Sequence, residues 1–144
     1  MDAAQTFLDV TPQAGARFFG SADDGPVVML NLLRFHECAD YSQAPDLEPD
    51  GGVSGAQAYA LYMEQIEPLL QASGGELLFA GKADAFLIGP QDEVWDFAML
   101  VKQASKASFM GFASDPEAQR VTRHRTAAIC DSRLLPLWAG TMPV

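Results

Sequence analysis

The segment Val27-Val-Met-Leu-Asn-Leu-Leu-Arg-Phe35 constrains this chain more than any other. Successive side chains of a strand point to opposite faces, and here both sets are apolar: Val27, Met29 and Leu33 on one, Val28, Leu30 and Leu32 on the other. Such a strand has to be covered on both sides. Helices of the same chain can supply one cover, and the other has to come from elsewhere. A length of 144 residues fits one domain, and 49% hydrophobic residues are enough for a proper core.

The rest of the chain supplies the remaining elements. Thr11-Pro12 followed by Ala14, Phe18 and Phe19 reads as a short capped helix. Residues 36–53 form a long acidic loop with two prolines and two glycines, a length that favours lids, binding loops or mobile segments. Ser54 with Gln57 makes a capping box. Tyr59, Tyr62, Met63, Ile66, Leu69 and Leu70 then repeat on one helical face as far as Gly74-Gly75. Residues 76–88 read as a strand with a bend at Gly81, residues 89–92 as a turn, and residues 94–102 as a strand with Trp95, Phe97, Met99 and Val101 on one face. A short helix starts at Ser105. A second, opened by Ser114-Asp115-Pro116-Glu117, runs to about Ala128, and residues 132–138 form a last strand that Pro136 confines to an edge or a strand end.

After the first helix, taken here as an extension over residues 1–25, the order β-α-β-β-α-β over residues 26–144 is that of an α+β, ferredoxin-like domain with an antiparallel four-stranded sheet. Its two main helices cover one face of the sheet. A second copy of the chain is the simplest cover for the other, because symmetry supplies a matching apolar face. A homodimer is therefore expected.

Charge and cysteine content narrow the partners. The formal charge of −10 repels nucleic-acid backbones and anionic lipid, so neither is expected as a partner. No apolar run approaches the ~20 residues of a membrane helix. No signal peptide is evident, and two cysteines, Cys38 and Cys130, suit reduced thiols in a cytoplasm. The charge is uneven: residues 1–101 hold 3 basic and 16 acidic side chains, residues 102–144 hold 6 basic and 3 acidic.

A few polar residues interrupt the apolar pattern. Asn31 lies on the face of Met29 and Leu33, where an amide needs either partners in the structure or a wet cavity; it can orient a ligand or tie the strand to a loop. Arg34 falls on the opposite face and can pair with an acid of the following loop or with an anion. His124 is suited to carry a proton near neutrality, or simply to sit at a helix C-terminus. Arg125 can hold an anion or pair with Asp131. Tyr59 and Tyr62 belong to the core stripe, with phenols that can reach a pocket. His36-Glu37-Cys38 with Asp40 lacks a second ligand pair, so no metal is expected. No phosphate loop or nucleophile elbow occurs, and no cofactor is expected.

Several stretches taken together are similar to a bacterial family of dimeric α/β-barrel proteins catalogued as domain of unknown function 1330. They are Val28-Met-Leu-Asn-Leu-Leu-Arg-Phe35, Ser54-Gly-Ala-Gln-Ala-Tyr59 with Tyr62, Gly74-Gly75, Gly89-Pro90, Trp95-Asp96, Ser105-Lys-Ala-Ser-Phe109, Asp115-Pro116, His124-Arg-Thr-Ala-Ala128 and Asp131-Ser-Arg-Leu134. The resemblance spans about residues 26–138 and implies a dimeric barrel. Its wider superfamily includes cofactor-free monooxygenases, haem enzymes, isomerases and stress proteins.

Two functional readings follow. In one, a small enzyme of the monooxygenase or isomerase sort binds a compact, partly apolar or anionic molecule between sheet and helices. Asn31 orients it, His124 carries a proton, and Arg34 or Arg125 neutralises charge. In the other, a non-catalytic dimer serves binding or assembly.

Overall fold

A computed structural model describes residues 5–140 of the chain. Its elements are α1 (Pro12–Gly20), β1 (Val27–Phe35), α2 (Gly55–Ala72), β2 (Glu76–Lys82), β3 (Phe97–Gln103), α3 (Lys106–Ser114), α4 (Pro116–Ala128) and β4 (Ile129–Trp138). The four strands form one antiparallel sheet in the order β2-β3-β1-β4. This is the ferredoxin-like α+β arrangement expected from the element order. Pro136 sits on β4, an edge strand, where a missing donor is tolerated.

Local chemistry sets the helix starts. Thr11 Oγ1 accepts from the Ala14 amide, Ser105 Oγ from Ser108 and Asp115 Oδ2 from Ala118. At α2 the capping box is complete: Ser54 Oγ accepts from Gln57 N (3.1 Å) and Gln57 Oε1 from Ser54 N (2.9 Å). α2 runs through Pro68 to Ala72, and Gly74 follows at φ +88°, a conformation that favours glycine. Gly55 is a close approach. A Cβ there would meet the Ala128 carbonyl at 2.6 Å and run into that of His36.

The two faces of the sheet differ. The odd residues of β1 face the helices. Leu33 and Met99 join Tyr59, Ala127, Ala128 and Ile129 in the main core, and Ile66, Ala118 and Val121 pack between α2 and α4. The even residues face away. Leu30 has Leu100 and Leu135 across from it, and Leu100 has Phe79 beyond it, so an apolar row crosses all four strands. No element among the described residues covers this row, and Phe79 is 58% exposed and Leu135 53%.

The structure moves several boundaries read from the sequence. β2 ends at Lys82 and β3 begins at Phe97, so residues 83–96 form a loop instead of strand ends and a short turn. Asp96 explains the late start of β3. Its amide donates to Leu33 O and its Oδ2 accepts from Phe35 N, so it closes the end of the β1–β3 pairing. Trp95 therefore leaves the face of Phe97 and Met99. β4 begins at Ile129, directly after α4, three residues earlier than read. Residues 36–53 fold back on α4: Asp40 N donates to Ala127 O, and Tyr41 and Ala44 are buried in the main core. α1 lies against α3 and the end of β4 through Phe18, Phe109 and Trp138, with Lys106 Nζ bonded to Ser21. Among the described residues no helix is long and apolar enough to cross a membrane.

Candidate functional site

The residues singled out from the sequence fall into three places. The first lies on the covered face. Asn31 is buried, and its Nδ2 donates within its own strand to Met29 O at 3.2 Å. Met99 stands directly across from it on β3. The buried Tyr59 hydroxyl points at Met99 Sδ, 3.9 Å away, a weak acceptor for a phenol. Tyr62 lies against Tyr59 with ring centres 5.2 Å apart and planes tilted by 50°. Burial pushes both phenols above their usual range, and the nearby Arg125 guanidinium pulls the other way. Arg125 Nη1 donates to Leu8 O at 3.1 Å, so it ties the N-terminal segment down rather than pairing with Asp131.

The second place is His124, on the inner side of α4. Its Nδ1 shares a 2.7 Å hydrogen bond with the Tyr41 hydroxyl. Burial, and then the charges of Arg120 and Arg123, lower its pKa, so the ring is held neutral. The helix-end reading of His124 gives way here to a buried tie between α4 and the long loop. Nothing in the sequence around Tyr41 signals this partner, because 83 positions separate the two residues.

The third place is the rim of the open face. Arg34 is there, on the face opposite Asn31 as expected, but its acid comes from β4 and not from the following loop. Asp131 Oδ2 lies 3.4 Å from Arg34 Nη1, and Asp131 Oδ1 lies 2.8 Å from Arg133 Nη1. Both guanidiniums lie on the Trp95 ring, at 4.8 and 4.9 Å from its centre, and Arg133 also lies on Phe7 at 4.9 Å. Trp95 is 3% exposed and donates to Glu93. Arg133 and Phe7 were not foreseen. The alternation of β4 places Arg133 on the open side, but the approach of Phe7 has no sequence signal.

Asn31, Tyr59, Tyr62 and Arg125 thus gather on the covered face. Arg34 is separated from them by the sheet, and His124 is engaged with Tyr41. Two surface hollows, one lined by Asp40, Gln43, Ala44 and Arg123, the other by Pro26, Val28, Leu78 and Lys102, both lie away from Asn31.

Similar structures support this architecture. A protein of unknown function from Rhodopseudomonas palustris is 35% identical over 96% of this chain and 100% of its own, with a TM-score of 0.83. The chain belongs to the family of that protein. More distant likenesses share the fold alone. A hydroxynitrile lyase from Passiflora edulis is 15% identical over 83% of this chain and 98% of its own, with a TM-score of 0.56. A dabb family protein with a ferredoxin-like fold from Mesorhizobium loti is 10% identical over 81% and 99%, with a TM-score of 0.51. No family model matches the chain, and no curated protein does.

Proposed function

We propose that this chain is a homodimeric, cytoplasmic binding protein of the kind catalogued as domain of unknown function 1330. Its ligand would be a small, partly apolar molecule with a carboxylate or carbonyl, held between sheet and helices. One observation carries the ligand reading: the buried Tyr59 hydroxyl has a thioether as its partner, beside an asparagine on the covered face. A phenol served by a weak acceptor inside the core suits a ligand oxygen. Arg125, close to both phenols, supplies the matching charge.

The uncovered apolar row Phe79–Leu100–Leu30–Leu135 supports the dimer, since a face of this kind needs a mate. A chemical step of the monooxygenase or isomerase sort has less support. His124 is engaged by Tyr41 and Arg34 by Asp131, which favours binding over proton transfer.

Titration of isotope-labelled protein with benzoate, followed by NMR, tests the ligand reading, with benzamide as the uncharged control. Benzoate should shift the Asn31 side-chain amide and the Met99 methyl more than benzamide does, and Arg125→Gln should abolish the difference. No shift at either group with any of a set of small aromatic carboxylates would sink it.

A further inference from the structure

The loop at residues 83–96 carries two large aliphatic side chains that nothing covers: Leu87 is 99% exposed and Ile88 93%. The turn presenting them is braced. Gln91 Nε2 donates to Phe86 O at 2.8 Å and to Gly89 O at 3.2 Å. Gly89, at φ +153°, leaves room for the Phe86 ring, which a Cβ would meet at 2.8 Å. A single exposed aliphatic needs no explanation, but a bare adjacent pair held out by a formed turn does.

We propose that Leu87 and Ile88 insert into a second copy of this chain, in the hollow lined by Pro26, Val28, Leu78, Ala139 and Lys102. The inference rests on the dimer reading above and adds the contact that fixes how the two sheets are set on each other.

The loop stands on the correct side of the sheet. Val94 O accepts from Arg34 Nε at 2.9 Å and from Nη2 at 2.7 Å, and Trp95 lies against both Arg34 and Arg133. Its returning limb therefore runs along the rim of the open face. The loop leaves the sheet where Lys82 faces Phe97, whereas the hollow lies at the opposite end, where Val28 faces Lys102. A two-fold axis between the two sheets and across the strands reverses those ends. Each loop then falls over its partner's hollow, and the contact is made twice.

The size of the open face agrees with this. Four strands about 4.8 Å apart and seven residues long, at about 3.4 Å each, give a face of roughly 450 Å² in projection. A stable interface buries roughly 800 Å² of accessible surface per partner, and the loop adds apolar surface to what the sheet face offers. The hollow, of about 380 Å³, is mainly apolar at its lining. The charged residues of the loop before the Val94 limb, Asp84, Asp92 and Glu93, are all acidic. Lys102, the basic residue of the hollow, already has two acids beside it, Asp24 in the lining and Glu76 directly across on β2, so the contact with the loop is made by apolar surface rather than by charge.

Sedimentation equilibrium of wild type and of Leu87→Asp/Ile88→Asp tests the contact. Both positions are bare in the single chain, so the variant should keep the wild-type circular dichroism. Its dimer dissociation constant should rise by roughly ten-thousandfold or more, because four buried aliphatics are lost per dimer. In a Cys38→Ser background, Leu78→Cys with Ile88→Cys should give a covalent dimer on mild oxidation, and Ile88→Cys alone should not. A variant that dimerises as tightly as wild type, with no cross-link, overturns the loop contact and leaves the dimer standing. A monomeric wild type removes both.

Discussion

Asp131 is the residue whose loss should reveal most about how this fold is held. Its carboxylate is 4% exposed and gathers four donors: Arg34 Nη1 (3.4 Å), Arg133 Nη1 (2.8 Å), Phe7 N (2.9 Å) and Ser132 N (2.9 Å). Asp131→Ala takes the carboxylate from all four, and of them Arg133 Nη1 keeps a second acceptor, Ser132 O at 2.8 Å. Breaking a fully buried ion pair costs roughly 3–5 kcal/mol, but Arg34 and Arg133 are 33% and 39% exposed and can turn to water. Their share is therefore small. The two backbone donors, each bonded to a charged acceptor, add up to about 1.5–3 kcal/mol apiece, and Phe7 can swing out to solvent. A net loss of about 3 kcal/mol follows. With a urea m-value of about 2 kcal/mol/M, the midpoint should fall by about 1.5 M at unchanged slope and fixed protein concentration.

The pH dependence gives an independent check. Burial raises the Asp131 pKa, but the hydrogen bonds from Phe7, Arg133 and Ser132 outweigh it and hold the carboxylate below its usual range. A carboxylate with a lowered folded pKa stabilises fully above its unfolded value, about 3.9. That contribution is lost as the pH falls through the folded value. Wild type should therefore lose more stability than Asp131→Asn on acidification below about pH 4. A loss on Asp131→Ala below about 1 kcal/mol, or equal acid sensitivity in wild type and Asp131→Asn, would refute this view of the β4 rim.

Three further outcomes are expected. Gly55→Ala should cost about 3 kcal/mol or more in urea titration, because its Cβ meets backbone carbonyls that cannot move aside; a change within the error of the method would count against that close approach. His124, held neutral by burial, has a folded pKa below its unfolded one of about 6.5, so it stabilises above that pH and destabilises as the pH falls toward the folded value; Tm measured from pH 7 downward should fall faster for wild type than for His124→Leu. Gln103 is 2% exposed and its Oε1 has no hydrogen-bond partner among the described residues; Gln103→Met should raise stability by about 1 kcal/mol, read as a higher Tm, and a lower Tm would point to a partner for that oxygen.

The sequence carried the architecture because periodicity and caps are local. Both faces of β1 read as apolar, and the Ser54 capping box and the Asp115-Pro116 helix start stand where their residues require them. The loop at 83–96 was hidden for the opposite reason. Phe86-Leu87-Ile88 has the composition of a strand, but Asp96 closes the β1–β3 pairing, and β2 ends at Lys82 without a partner for those residues. Composition reports what is buried in the end, not which chain buries it. The contacts of the candidate site were also illegible, since Tyr41–His124 and Phe7–Asp131 join positions 83 and 124 residues apart.

The alternation of β1 has a further consequence for function. Asn31 and Arg34 are three residues apart yet lie on opposite faces of one sheet, so no molecule can touch both side chains of a single copy. A mechanism that used Asn31 to orient a ligand and Arg34 to neutralise it is thus closed to the monomer. On the covered face the cation near the two phenols is Arg125, and Arg34 serves the rim. The two faces can then be altered separately. Asn31→Leu should leave dimerisation unchanged, and Leu135→Asp should weaken it. Well-separated sites usually add to within about 0.5 kcal/mol. A double variant of this pair, assayed for benzoate binding and for dimer dissociation, should show each loss at its single-variant size. Coupling well above that limit would mean that the covered face is completed only in the dimer.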